Sequence, residues 1–341
     1  MPKSIPWVEK YRPKKLDDII YQSDTINMFK NSINTNNLPH MLLYGPPGTG
    51  KTTTILIIAN ILFGPNKVNE RVIELNASDD RGINVVRNKI MDFAKENLGT
   101  YDPNYPSPPF KIIILDEADA MTKEAQSALK KIIETYSKTT RFCLICNYIS
   151  KIIDPIQSRC SKLRFKPIKP CLMVDRLIYI SKQENLNISK ECIDIITKNC
   201  DGDMRKAIMY LQNLNYLGIL YKNITEENAY DITNNINPKI INSVLKKCFK
   251  QDMDINNILQ DIKEIWKTGN VLTNILETTL YQVICSNKLN DKQKEKIAFH
   301  IASVDRMLIN GADEYIQLLN IFSFIRATYK NIQLYRNIDI L

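Results

Sequence analysis

Gly45-Pro46-Pro47-Gly48-Thr49-Gly50-Lys51-Thr52 constrains what this chain can fold into more than any other stretch. It follows the apolar run Met41-Leu42-Leu43-Tyr44 and precedes Thr53-Thr54-Ile55-Leu56-Ile57-Ile58-Ala59, which reads as a helix. Strand, glycine-rich loop and helix in that order, with the spacing G-x4-G-K-[ST], make a phosphate-binding loop. Gly48 and Gly50 can take backbone angles other residues resist, so successive N–H groups turn inward around phosphate oxygens, and the helix adds its N-terminal dipole. The segment Gly45 to Thr53 is therefore the expected seat of a nucleoside triphosphate. Lys51 would reach the β- and γ-phosphates, and Thr52 would place its hydroxyl on Mg2+. The alternative is a ligand-free glycine-rich turn, which eight matching residues and both flanks argue against.

At 341 residues the chain exceeds what one core supports, since cores stop growing near ~250–300 residues. Two or three domains are expected. A net charge of +9 favours a polyanionic partner without specifying one. Met1-Pro2-Lys3-Ser4-Ile5-Pro6 has no apolar core of a secretory signal. No apolar run approaches the ~20 residues that cross a bilayer. An intracellular chain without a membrane partner is expected. Cys143 and Cys146 have C-x-x-C spacing, but they lie in Arg141-Phe142-Cys143-Leu144-Ile145-Cys146-Asn147, an apolar run that reads as a buried strand. They are expected to pack as small apolar residues, with no metal site of Cys or His.

Pro6-Trp7-Val8-Glu9-Lys10-Tyr11-Arg12-Pro13 reads as an extended arm, and Asp24 to Asn34 as a helix with Ile26, Phe29 and Ile33 on one face. Arg71 to Asn76 is a second strand, and from Ile83 the spacing Ile83, Val86, Ile90, Phe93 gives a helix. Arg87 and Lys89 lie off its apolar face and Arg81 stands before it. Residues 97–109, rich in proline, should be irregular and exposed. Lys111-Ile112-Ile113-Ile114-Leu115-Asp116-Glu117 reads as a strand buried on both faces, with two acids at its carboxyl end, where α/β folds hold ligands. Asp116 suits a direct or mediated Mg2+ contact, and Glu117 suits polarisation of an attacking water. Asp116-Glu117-Ala118-Asp119 also spells the signature of one RNA helicase family. That architecture needs a second α/β lobe, and the remaining pattern is helical, so it is excluded.

Thr122 should cap a helix from Lys123 to Tyr136, with Ala125, Leu129, Ile132 and Ile133 inward and Gln126, Lys130 and Lys131 outward. Arg141 to Asn147 and Lys162 to Phe165 complete a five-stranded parallel sheet, with a short helix and turn over Lys151 to Cys160 between them. Pro167 and Pro170 mark a boundary. Three helices follow, over Leu172–Gln183, Ser189–Asn199 and Asp203–Leu217, and then an all-helical stretch from Asn237 that includes Ile255–Trp266, Val271–Ile284, Asp291–Leu308 and Asp313–Tyr335. The division is 1–166, 167–234 and 235–341.

A P-loop, a strand ending in Asp-Glu, a polar residue ending the next strand and a small helical lid resemble the plan of AAA+ ATPases. More closely, Trp7-Val8-Glu9-Lys10-Tyr11-Arg12-Pro13, Glu74-Leu75-Asn76-Ala77-Ser78-Asp79, Ile114-Leu115-Asp116-Glu117-Ala118-Asp119, Ser158-Arg159-Cys160 and Gly202-Asp203-Met204-Arg205 resemble the box motifs of replication factor C small subunits. Thr140 to Tyr148 and Gly311-Ala312-Asp313 are most similar to the eukaryotic subtype numbered four. The resemblance implies an α/β AAA+ domain with a five-stranded parallel sheet, a helical lid and an all-helical collar. It implies an ATP- and Mg2+-dependent subunit of a nuclear heteropentamer that opens the sliding clamp (PCNA) and sets it on primer-template DNA.

The same resemblance assigns roles. Val8 and Arg12 would contact the nucleotide near its base, and Asn147 would hold the water or γ-phosphate. Arg205 would couple phosphate loss to lid rotation. Arg159, which spacing alone leaves as a surface turn arginine, would serve the neighbouring subunit's site. Arg81, Arg87, Lys89, Lys130 and Lys131 fall on helices that track the DNA backbone, where phosphate contacts hold without choosing sequence. Lys130 and Lys131 stand where the family often has arginines, and Lys is the weaker bidentate phosphate binder. A protein-remodelling ATPase would show a pore-loop aromatic, which is not evident after the second strand. A catalytically silent subunit would lack Lys51, Glu117 or Arg205, and all three are present.

Overall fold

A computed structural model describes residues 5–19, 22–35, 37–77, 83–96, 102–221, 224–250 and 255–330. The chain forms two compact units, one of residues 1–187 and 200–212, the other of 188–199 and 213–341.

The first unit is built on strands β1 (Met41–Tyr44), β2 (Val72–Asn76), β3 (Lys111–Asp116), β4 (Thr140–Cys146) and β5 (Ser161–Arg164). All pair in parallel in the order β2-β3-β4-β1-β5. Alternation along each strand sends neighbours to opposite faces. Met41, Leu43, Ile112, Ile114, Cys143 and Ile145 therefore pack with Ile55, Ile58 and Leu62 of α3 (Lys51–Phe63) and with Ile26 and Phe29 of α2 (Ser23–Asn34). Leu42, Ile113, Leu115, Phe142, Leu144 and Cys146 pack with Ile90 of α5 (Ile83–Lys95) and with Leu129, Ile132 and Ile133 of α6 (Lys123–Tyr136). Thr122 caps α6 as expected, accepting the Ala125 N–H at 3.3 Å.

Three local expectations are corrected. The arm is not extended: Trp7–Lys10 is a one-turn helix, α1, with Pro6 as its N-cap and the Glu9 and Lys10 N–H groups on Pro6 O at 3.0 and 2.9 Å. Proline disrupts a helix interior but is harmless at the start, where its missing N–H would be unpaired anyway. Gln126 does not face out. It is buried, donating to Met121 O and Lys151 O and accepting the Ile153 N–H, so one amide satisfies three backbone groups. In the proline-rich loop, 102–109 is irregular, yet Pro108 is buried and the Tyr105 ring lies against Gly64. Residues 97–101 lie outside the described residues.

The first unit also holds the one-turn helices α4 (Val68–Arg71) and α7 (Asp154–Gln157), and after β5 it continues through α8 (Pro170–Gln183) and the start of α10 (Met204–Tyr221). In the second unit α9 (Lys190–Lys198) packs on α11 (Glu226–Thr233). Helix α11 went unread in the sequence because its eight residues carry little periodicity; a Thr225–Asn228 capping box starts it. The rest is α12 (Pro238–Cys248), α13 (Ile255–Lys267), α14 (Leu272–Cys285), α15 (Asp291–Ile309) and α16 (Glu314–Tyr329). Residues three or four apart, such as Ile258, Ile262 and Ile265 or Leu318, Ile321, Phe322 and Ile325, meet in one core. The reading of the last helix to Tyr335 runs past 330, outside the described residues.

Candidate functional site

The loop between β1 and α3 sits at the carboxyl end of the sheet, beside the ends of β3 and β4. Gly50 (φ 92°) immediately precedes α3, and Gly48 (φ 65°) is also left-handed. A Cβ on Gly48 would stand 1.7 Å from Asp203 Oδ1, so only glycine lets the loop approach the start of α10. There the Met204 N–H donates to Gly48 O at 3.3 Å. A cavity of about 240 Å3 opens at this point.

Its lining joins the residues selected from sequence. Pro47, Gly48, Thr49, Gly50, Lys51, Thr52 and Thr53 of the loop and helix, Val8 and Arg12 of the arm, Asp116, Glu117, Asn147 and Arg205 all border it. Gly45 and Pro46 do not line it but act through their carbonyls, which accept from Lys51 Nζ at 2.7 and 2.8 Å. Asn147 Oδ1 accepts from the same ammonium at 3.0 Å. Lys51 is 8% exposed. Burial lowers its pKa and the Arg205 charge adds to that, while Asp116 and Asp119 oppose it. An ammonium so held is poised to gain from an incoming polyanion.

Thr52 Oγ1 donates to Asp116 Oδ2 at 2.7 Å, and the Glu117 N–H donates to Asp116 Oδ1 at 2.9 Å. A hydroxyl and a carboxylate converging on one point are hard oxygen donors of the kind Mg2+ prefers. Glu117 is exposed to the cavity and takes φ 54°, ψ 37°, a left-handed conformation costing on the order of 1 kcal/mol in a residue with a side chain. Arg12 Nε donates to Thr53 Oγ1 at 3.1 Å and so joins the arm to α3.

Arg159 is not brought to this cavity. Its guanidinium pairs with Glu134 of α6 at 2.7 Å and donates to Pro155 O at 2.7 Å. Lys89 and Lys131 are exposed, and Lys130 lies 4.0 Å from Glu134. Arg81 and the Arg87 side chain lie outside the described residues. Cys143 and Cys146 are buried, and burial pushes the Cys146 thiol up to about 12, as a packed thiol requires.

Sequence reasoning missed two acids. Asp119, which closes the box motif around Asp116 and Glu117 but carries no role of its own there, accepts the N–H groups of Asn147 and Tyr148, each at 3.4 Å, and so holds the turn that carries Asn147. Asp203 caps α10, accepting the Lys206 N–H at 3.0 Å beside Gly48. Its position just before a helix start is a usable signal; for Asp119 the box motif marks the position, but nothing local names the Asn147 turn as its partner.

Residues 41–168 match the ATPase family associated with various cellular activities (AAA), 175–214 the RCF1/5-like AAA+ ATPase lid domain, and 236–323 the replication factor C C-terminal domain. The chain is 47% identical over 320 residues to replication factor C subunit 4 of Homo sapiens, covering 94% of this chain and 87% of that one. It is 45% identical to replication factor C subunit 4 of Arabidopsis thaliana, covering 94% of each. It is 42% identical to replication factor C subunit 2 of Saccharomyces cerevisiae, covering 93% and 91%. Among solved structures, the RuvB Holliday junction branch migration motor of Thermotoga maritima superposes with a TM-score of 0.52 at 18% identity, covering 74% of this chain and 85% of that one. At that identity the likeness speaks for the fold alone. With its phosphate loop, acidic strand end and Arg205 lining one cavity, this chain is an AAA+ ATPase that belongs to the replication factor C small-subunit family.

Proposed function

We propose that this chain is an ATP-driven subunit of a heteropentameric clamp loader. With the other replication factor C subunits it opens the sliding clamp (PCNA) and sets it on primer-template DNA in the nucleus. The division at 1–166, 167–234 and 235–341 belongs to the same reading, as motor, lid and collar. One observation carries it: the Lys51 ammonium rests on two loop carbonyls and Asn147 inside a cavity bordered by Arg205.

A γ-phosphate would compete with those acceptors for Lys51. Its binding would release Asn147 Oδ1 to orient a water, while Asp119 keeps the Asn147 backbone in place. Asp116 is engaged by Thr52 and by the Glu117 N–H, which leaves Glu117 as the acid able to draw a proton from that water. Mg2+, when bound, would sit on Thr52 and Asp116 and neutralise phosphate charge. Arg205 would sense phosphate loss from the start of α10. Arg159, at a turn outside the cavity, would act on the nucleotide of an adjacent subunit. Lys89, Lys130 and Lys131, with Arg81 and Arg87, would meet DNA phosphates. Of these, Lys131 borders an open groove of about 610 Å3 between α5 and α6, together with Lys123, Glu124 and Met91.

The test is reconstitution with the other subunits and an assay of clamp transfer to primed DNA. The wild-type chain should support ATP-dependent transfer, and Lys51→Ala should lower it. Assembly without any ATP-dependent transfer would refute the loader reading while leaving the ATPase fold intact.

A further inference from the structure

The arm that borders the cavity is held from outside it. Glu184, the residue that ends α8, takes two donors from the arm: Lys10 Nζ at 2.6 Å and the Tyr11 hydroxyl. Arg176, one α8 residue on the cavity wall, donates to Tyr11 O at 3.1 Å. The Trp7 N–H donates to Gln212 Oε1 at 2.9 Å, and the Trp7 ring is buried. The arm is thus tied to α8 and α10 on one side and, through Arg12 and Thr53, to α3 on the other.

A carboxylate at a helix C-terminus faces the negative end of the helix dipole, which disfavours its charge. Glu184 occupies that position with only 16% of its side chain exposed. Burial works against its charge, yet the bonds from Lys10 and Tyr11 prevail and hold its pKa below the ordinary glutamate value. Burial and Glu184 together raise the Tyr11 pKa, so the phenol stays a donor.

The cavity itself has two kinds of wall. Lys51, Thr52, Asp116, Asn147 and Arg205 are polar and suit phosphates; Val8, Pro13, Ile19, Ile168 and Ile208 are apolar and suit a flat base. Two of those apolar residues, Val8 and Pro13, bracket the segment that Glu184 holds. We propose that Glu184 is a positioning residue for the nucleoside half of the ligand: by clamping Lys10 and Tyr11 it keeps the arm on the cavity wall without touching the nucleotide. This rests on the nucleotide-binding reading of the cavity.

The experiment compares binding of MgATP and of inorganic tripolyphosphate by the full chain, by calorimetry, for wild type, Glu184→Ala and Lys10→Ala. Loss of a charge-assisted bond that orders one wall should raise the MgATP Kd about tenfold for Glu184→Ala and less for Lys10→Ala. Tripolyphosphate, which needs only the phosphate wall, should bind within about twofold of wild type in both. Equal weakening of the two probes would mean that Glu184 supports the fold at large, and no weakening of either would mean the arm holds without it; each result overturns the proposal. Lys51→Ala, which should weaken both probes, separates these outcomes from a failure of the nucleotide reading, in which wild type and Lys51→Ala would bind alike.

Discussion

Replacing Gly48 with alanine separates two costs that are usually confounded at a phosphate loop. The first is conformational: at φ 65° a side chain crowds its own carbonyl, which costs roughly 1–2 kcal/mol. The second is contact: the new Cβ would fall 1.7 Å from Asp203 Oδ1 and 2.3 Å from its Cγ, so the carboxylate must move. Asp203 then loses its cap on the Lys206 N–H, now 3.0 Å long, worth about 0.5–2 kcal/mol. Gly50 is the internal control, because at φ 92° it carries the first cost while a Cβ there meets nothing within 4 Å. Any gain from a stiffer unfolded chain is common to both alanines and cancels. Gly48→Ala should therefore destabilise the first unit by about 1 kcal/mol more than Gly50→Ala.

Urea unfolding followed by tryptophan fluorescence reads this directly. The chain has two tryptophans, and Trp266→Phe leaves the buried Trp7 as the reporter of the first unit. In an Asp203→Ala background the cap is already gone, so Gly48→Ala should then cost no more than Gly50→Ala, a coupling of about 1 kcal/mol. The reasoning would be falsified if the two alanines cost the same in the parent, or if Gly48→Ala and Asp203→Ala simply add.

Glu117→Gln should leave MgATP affinity near wild type while slowing hydrolysis by about 10²–10⁴-fold, the usual weight of a positioned general base; filter binding and phosphate release measure the two, and unchanged turnover would assign the proton elsewhere. Arg159→Ala should leave ATP binding by the isolated chain untouched and lower turnover at the adjacent subunit's site by about 10³–10⁵-fold. A mixed assembly in which only that neighbour can hydrolyse ATP reads it, and normal turnover there would return Arg159 to a structural role. His40 is held neutral, its pKa lowered to about 4 by burial and then by Arg141, and its Nδ1 accepts the Phe142 N–H at 3.2 Å. A folded pKa below the unfolded 6.5 means that this stability is complete above pH 6.5 and is lost as pH falls toward about 4. After discounting for partial exposure, wild type should lose about 1–2 kcal/mol more than His40→Gln between pH 7 and pH 4.5, and parallel urea curves would contradict it.

The parts of this protein legible in the amino-acid order are those whose information is local. Four apolar residues before Asp116, a glycine-rich turn after Tyr44 and Thr122 before a helical period each specify a conformation within a few residues, and strand, loop and cap stand where the pattern put them. Box motifs also specified which side chains meet around Lys51, since a phosphate loop with an acidic strand end has few ways to be arranged. A general rule applied to a local signal can mislead: proline breaks helix interiors, yet Pro6 stands at a helix start, and a polar residue is expected outward, yet Gln126 is buried.

Which side chains become partners depends on the packed fold. A period says which face of α6 turns inward, but not that Gln126 will find Met121, Lys151 and Ile153 there. Nothing near Gly48 announces Asp203, nothing near Lys10 announces Glu184, and nothing near Arg159 announces Glu134. Those pairs exist because the parallel sheet and the returning helices bring distant segments within a hydrogen bond of each other. Such contacts depend on the packed positions of whole elements, and a linear pattern carries no coordinate for them.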